Sequence, residues 1–215
     1  IFLKRGYSLQ RTYALSKLES AMMPAIQVGL LVLVVTAPAF IFFSQKGPGA
    51  MHAPWLISLA AGIVVGGLSQ FSRLCTVGGF RDLFLFKKSI LIFGYLAVLV
   101  GVFLVNISFG NFHLGFENQP IAHTDGLWNF LGMALAGFCS VLLGGCPLRQ
   151  LIMTGEGNSD AAVTVLGLAA GAAFAHNFGL AASGAGPTLN GQIAVGVGFV
   201  VALIIAIVNT KRANA

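Results

Sequence analysis

GLWNFLGMALAGFCSVLLGGCPL, residues 126–148, runs without one charged side chain and ends on a glycine pair, a cysteine and a proline. An α-helix rises about 1.5 Å per residue, so roughly 20 apolar residues cross the ~30 Å hydrocarbon core of a bilayer. A core helix of a soluble protein would carry a polar face, and this run has none. Four more charge-free runs flank it, at 24–44, 53–72, 89–109 and 161–210. The last is too long for one crossing, and Ser183-Gly-Ala-Gly-Pro187 with Asn190-Gly191 divides it. Composition agrees: 57% of residues are hydrophobic and 8% charged, against about one quarter charged in a soluble domain. The expected fold is an all-α integral membrane protein with six transmembrane helices.

The basic residues set the expected orientation, because lysine and arginine near span ends favour the cytoplasm. With the amino end inside, Lys4, Arg5, Arg11, Lys17, Arg73, Arg81, Lys87, Lys88, Arg149, Lys211 and Arg212 all face inward, and only Lys46 faces outward. The outer segment 110–125 has no lysine or arginine but holds Glu117 and Asp125. The net charge of +6 is therefore a topology signal. It does not point to nucleic acid, since no basic-and-aromatic recognition motif accompanies it. The expected organisation is a basic cytoplasmic linker over 1–23, a transmembrane domain over 24–210 and a cytoplasmic tail over 211–215. The start at Ile1 and the linker-like basic stretch suggest part of a longer chain, inserted through its first full span.

Sliding the chain along itself by 71 residues superposes Gly66 on Gly137, Cys75 on Cys146 and Asn106 on Asn177. Two repeated helix–cysteine-turn–helix units are expected, at about 54–109 and 126–180. Both cross in the same direction, so the repeat is parallel rather than inverted. The turns read Arg73-Leu-Cys75-Thr-Val-Gly78-Gly79-Phe-Arg81-Asp82 and Gly144-Gly145-Cys146-Pro147-Leu-Arg149-Gln150. Glycine permits positive φ and close backbone approach. Pro147 suits the first turn of a short helix beginning just after Cys146. The free amides at such a start favour an anion, and irregular backbone at membrane depth survives where it is buried or lines a cavity. These features suggest a permeation path, whereas glycines that only allow tight helix packing are the plainer alternative.

Cys75 and Cys146 are either small buried hydrophobes or weak thiol donors facing a soft, polarisable anion. A disulfide is disfavoured beside a reducing cytoplasm. No metal site is expected, because there is no Cys-x-x-Cys and His52, His113, His123 and His176 are scattered. Cys139 is expected in core packing. Arg73, Arg81 and Arg149 flank the cysteines and could balance an anion's charge or serve as positive-inside anchors, as Lys87 and Lys88 do. Arg81 with Asp82 suggests a structural ion pair. His176 and Asn177 interrupt an otherwise apolar span, where polar groups tend to face the bundle interior, with a helix-to-helix hydrogen bond as the plain role. The segment 153–160 reads as a polar turn, with Asp160 capping or beginning the next helix.

At these two turns the sequence resembles the YeeE/YedE family of sulfur-transport membrane proteins. The matching features are Ser72-Arg73-Leu-Cys75 with Phe80-Arg81-Asp82, and Gly144-Gly145-Cys146 with Gly155-Glu156-Gly157. The second copy is most like the YedE-like branch associated with selenium metabolism, and the likeness covers roughly 54–210. The resemblance implies an hourglass-shaped bundle in which thiosulfate passes by hydrogen bonding to successive thiols, here Cys75 and Cys146. It also implies a bacterial or archaeal inner-membrane location, a cytosolic sulfur-carrier partner and a chain about twice this length, with the amino-terminal half supplying further cysteine turns.

The expected function is a transporter or channel for a small sulfur- or selenium-containing anion, without cofactor, metal or catalytic residue. The expected substrate-contacting set is Cys75, Cys146, Arg73, Gly78, Gly79, Arg81, Gly144, Gly145, Arg149, Asn106, His176 and Asn177. One alternative is a membrane thiol enzyme handing sulfur or selenium to a cytosolic acceptor, which would need an activated thiolate. Another is a scaffold subunit that transports nothing.

Overall fold

A computed structural model describes residues 16–38, 53–115 and 123–213. Lys4, Arg5, Arg11, Lys46 and Glu117, on which part of the expected topology rests, lie outside the described residues. Eight helices form among those described: α1 (Lys17–Thr36), α2 (Trp55–Ser72), α3 (Thr76–Phe86), α4 (Ile90–Ser108), α5 (Gly126–Leu143), α6 (Pro147–Gly155), α7 (Ser159–Asn177) and α8 (Leu189–Ala213). No strand accompanies them beyond an isolated bridge between Ser183 and Gly186. Six helices, α1, α2, α4, α5, α7 and α8, are long and apolar enough to cross a membrane, and two of these stretches continue through α3 and α6. The surface suits lipid: Phe71 and Leu114 are about nine-tenths exposed, at 89% and 91%.

Local chemistry sets the helix ends. Ser16 and Glu19 form a reciprocal capping box that starts α1 at Lys17, so helix occupies the last seven positions assigned to the linker over 1–23. The apolar run begins only at Pro24, which the helix carries in its interior. Asp125 accepts from the Trp128 amide at the start of α5. Asn158, not Asp160, caps α7, accepting from the Ala161 amide at 2.9 Å, and Asp160 sits within the first turn. Ser183 to Pro187 separates α7 from α8 as expected, whereas Asn190 and Gly191 are absorbed into the first turn of α8.

The helices α2–α3–α4 and α5–α6–α7 share one layout. The starts of α2 and α5, and of α3 and α6, are each 71 residues apart, but α4 and α7 start 69 apart because α3 is two residues longer than α6. The offset therefore does not carry through to Asn106 and Asn177: α4 ends at Ser108, whereas α7 ends at Asn177 itself.

Packing crosses the two sets. Each short helix lies on the helix that follows it (α3 on α4, α6 on α7) and also on the incoming helix of the other set (α3 on α5, α6 on α2). A Cβ on Gly79 would sit 3.4 Å from the Ile92 amide nitrogen, at van der Waals contact, so α3 lies directly against the first turn of α4. Away from this crossing, α5 packs on α8 through Leu135, Phe138, Cys139 and Leu142 against Ala202 and Ala206. Cys139 belongs to that apolar contact.

Candidate functional site

Cys75 and Cys146 occupy equivalent positions, each the residue just before a short helix. The preceding long helices stop in the left-handed region, at Arg73 (φ 50°) in the first case and Gly144 (φ 76°) in the second. The chain then turns extended at the cysteine, and the new helix begins. Pro147 supplies the first residue of α6 with its φ already set. In α3 the glycines expected to form the turn lie inside the helix instead: Gly78 and Gly79 are its third and fourth residues and pack against Leu91 and Ile92.

The crossing of the two sets brings the thiols together. The side chains of Cys75 and Cys146 come near enough to interact across 71 residues of sequence. Both are free and buried, at 8% and 5% exposure. Polar groups surround them. The Gly78 amide donates to Cys75 Sγ at 3.3 Å, and the Cys146 amide also faces it. Around Cys146 Sγ stand the amides of Thr76 and Arg149 and the Thr76 hydroxyl. Backbone amides and a hydroxyl thus face the sulfurs, at the positive ends of two helices.

A buried amide and an ion pair hold the second turn. Gln150, 2% exposed, donates to the Leu143 carbonyl at 3.2 Å and so ties α6 back to the end of α5. A Cβ at Gly145 would lie 3.4 Å from that Gln150 nitrogen, in van der Waals contact with the tie. Arg149 reaches in the other direction: Nη1 donates to Gln70 Oε1 of α2 at 3.3 Å, and Nη2 lies 3.4 and 3.5 Å from the two Glu156 oxygens. Gln70 and Glu156 also line a cavity of about 560 Å³ between α2 and α6, together with Gly62, Gly66, Leu148 and Ile152.

The remaining residues of the expected set divide. Arg81 is paired with Asp82 at 2.9 Å, with its side chain 45% exposed, and Arg73 is exposed. Asn106 lies 14 residues along α4 from Ile92, an axial separation of roughly 21 Å. His176 and Asn177 close the far end of α7, where both are exposed. Asn177 donates to the Ala173 carbonyl one turn back in its own helix, not to another helix. These three residues are not gathered with the cysteines. Thr76 stands at the Cys146 sulfur, and Gln70, Gln150 and Glu156 hold the turn beside it through Arg149 and Leu143. The legible signal for Gln70 was its polarity at the end of an apolar span, where such groups face protein interior. Among the described residues, no three His, Cys, Asp or Glu side chains converge on a point where a metal would sit.

A family model described as sulphur transport matches residues 71–212, a stretch that holds both cysteines and helices α3 to α7 complete. No curated protein and no solved structure matches the chain.

Proposed function

The chain belongs to the sulphur transport family, and from that premise we propose that it carries a small sulfur- or selenium-containing oxyanion across the bilayer, with Cys75 and Cys146 as its contacts. The observation that supports this reading is the meeting of two thiols at two helix starts. Each helix start contributes about half an elementary positive charge, and each thiol offers a polarisable sulfur and a weak donor. A soft anion is the ligand that uses both. The sulfurs are covered in this conformation, so passage requires the two turns to part, which two sets of helices joined through short α3 and α6 can do.

The cysteine end faces the cytoplasm in this reading. Arg73, Arg81, Lys87, Lys88 and Arg149 all lie on the turns or short helices at that end, as the bias of lysine and arginine toward the inner side requires. Transport is then inward, and a cytosolic sulfur carrier would receive the cargo there.

The test is flux in liposomes containing the full-length protein, with labelled thiosulfate and labelled selenite in separate arms. Cys75→Ala and Cys146→Ala should each bring flux down to that of empty vesicles while the protein remains inserted. Wild-type flux in both variants would sink the thiol-contact reading, and the arm that carries label names the cargo.

A further inference from the structure

A carboxylate stands where an anion path would be expected to exclude one. Glu156 is half-open to solvent, at 33% side-chain exposure, and lies on the wall of the α2–α6 cavity. Arg149 beside it is the cation nearest in sequence to Cys146, and its own amide faces that thiol. The guanidinium is held loosely. Its three contacts with Gln70 and Glu156 span 3.3–3.5 Å, whereas charge-assisted pairs close to about 2.7–2.9 Å. The Arg81–Asp82 pair of the other turn does close, at 2.9 Å. A long, partly solvated pair is one that another anion can exchange into.

We infer that Glu156 is a tethered counter-ion that occupies Arg149 between passages and gives it up to the oxyanion cargo, so setting how tightly the cargo is held. The inference rests on the transport reading. A conducting site must bind strongly enough to admit an ion and weakly enough to release it. An arginine beside two helix starts would overshoot toward tight binding. A carboxylate seven residues along the same segment competes for the guanidinium as an intramolecular ligand, at an effective concentration on the order of millimolar. It weakens cargo binding without closing the path, and it returns to Arg149 when the cargo leaves. Gln70 keeps the guanidinium in place during the exchange through its separate contact with Nη1.

Glu156→Gln keeps the shape and removes the charge. In proteoliposomes its KM for thiosulfate should fall about tenfold, and its maximal flux should fall several-fold as release slows. Arg149→Gln added to Glu156→Gln should abolish the gain in affinity. A KM that is unchanged or higher in Glu156→Gln, in protein that elutes as a single species, overturns the inference, because a carboxylate that merely braces Arg149 would not weaken binding. A second readout uses the wild-type protein. Saturating thiosulfate should raise modification of Glu156 by a water-soluble carbodiimide, measured by mass spectrometry, and no rise overturns the inference whatever the variant does. Absence of flux through the wild type removes the transport reading itself, whereas wild-type flux with an unshifted KM in Glu156→Gln removes only this inference.

Discussion

The turn at Cys75 and the turn at Cys146 have the same path but are locked by different means. At Cys75 the lock is made of backbone: the Gly78 amide on the sulfur and Gly79 against Ile92. Its arginines are occupied elsewhere, Arg73 in a strained helix end and Arg81 on Asp82. At Cys146 the lock is polar: Gln150 on the Leu143 carbonyl and Arg149 bridging Gln70 and Glu156. One turn supplies a rigid wall, and the other supplies movable charge. The difference teaches that two copies of a motif need not share the work equally, and that the second turn is the one equipped to answer an anion.

The sharpest way to break that contrast is to remove one arginine from each turn. Arg149→Ala should lower thiosulfate flux by roughly 10- to 100-fold, the range expected for one charged hydrogen-bonding group. Arg81→Ala, which loses an exposed pair between adjacent residues, should stay within about twofold, as surface pairs contribute little. Equal losses in the two variants would show that the charge is shared between the turns.

Next comes the buried amide. Gln150→Leu strips the Leu143 carbonyl of its partner in a site that is 2% exposed. Leaving such a group unsatisfied costs about 1–3 kcal/mol. Thermal unfolding in lipid nanodiscs should report a clear drop in midpoint. An unmoved midpoint would mean that the second turn does not depend on its polar lock.

The six spans were legible because charge-free runs of sufficient length have few other uses. Helix α6 was legible too, from Pro147 after Cys146. Helix α3 was not: Gly78-Gly79 reads locally as a turn, since each glycine costs about 1 kcal/mol in a helix. The packing of Gly79 against Ile92 is a tertiary contact that the local sequence does not show. Matching by a fixed offset failed at Asn106 and Asn177 for a similar reason, because two additional residues in α3 shift everything after it. Gln70 escaped, and Glu156 was read only within the Gly155-Glu156-Gly157 feature, because their partner Arg149 is 79 residues away from one and seven from the other. Nothing in a single sequence announces a bridge between an incoming helix and the short helix of the other set. The two cysteines were the exception, marked by their glycine-rich surroundings and by the repeated layout.

The smallest expected effect tests the backbone beneath both turns. Each long incoming helix ends in the left-handed region, but Arg73 reaches it with a side chain (φ 50°) and Gly144 without one (φ 76°). That conformation costs an L-residue about 1–2 kcal/mol. Gly144→Ala should therefore destabilise the protein by about 1 kcal/mol, and Arg73→Gly should stabilise it by up to a similar amount, less the greater freedom glycine gives the unfolded chain. Opposite signs in the unfolding midpoint are the signature. If Arg73→Gly also destabilises, the Arg73 side chain makes contacts that outweigh its strain, and the first turn is less purely a backbone structure than the contrast with the second requires.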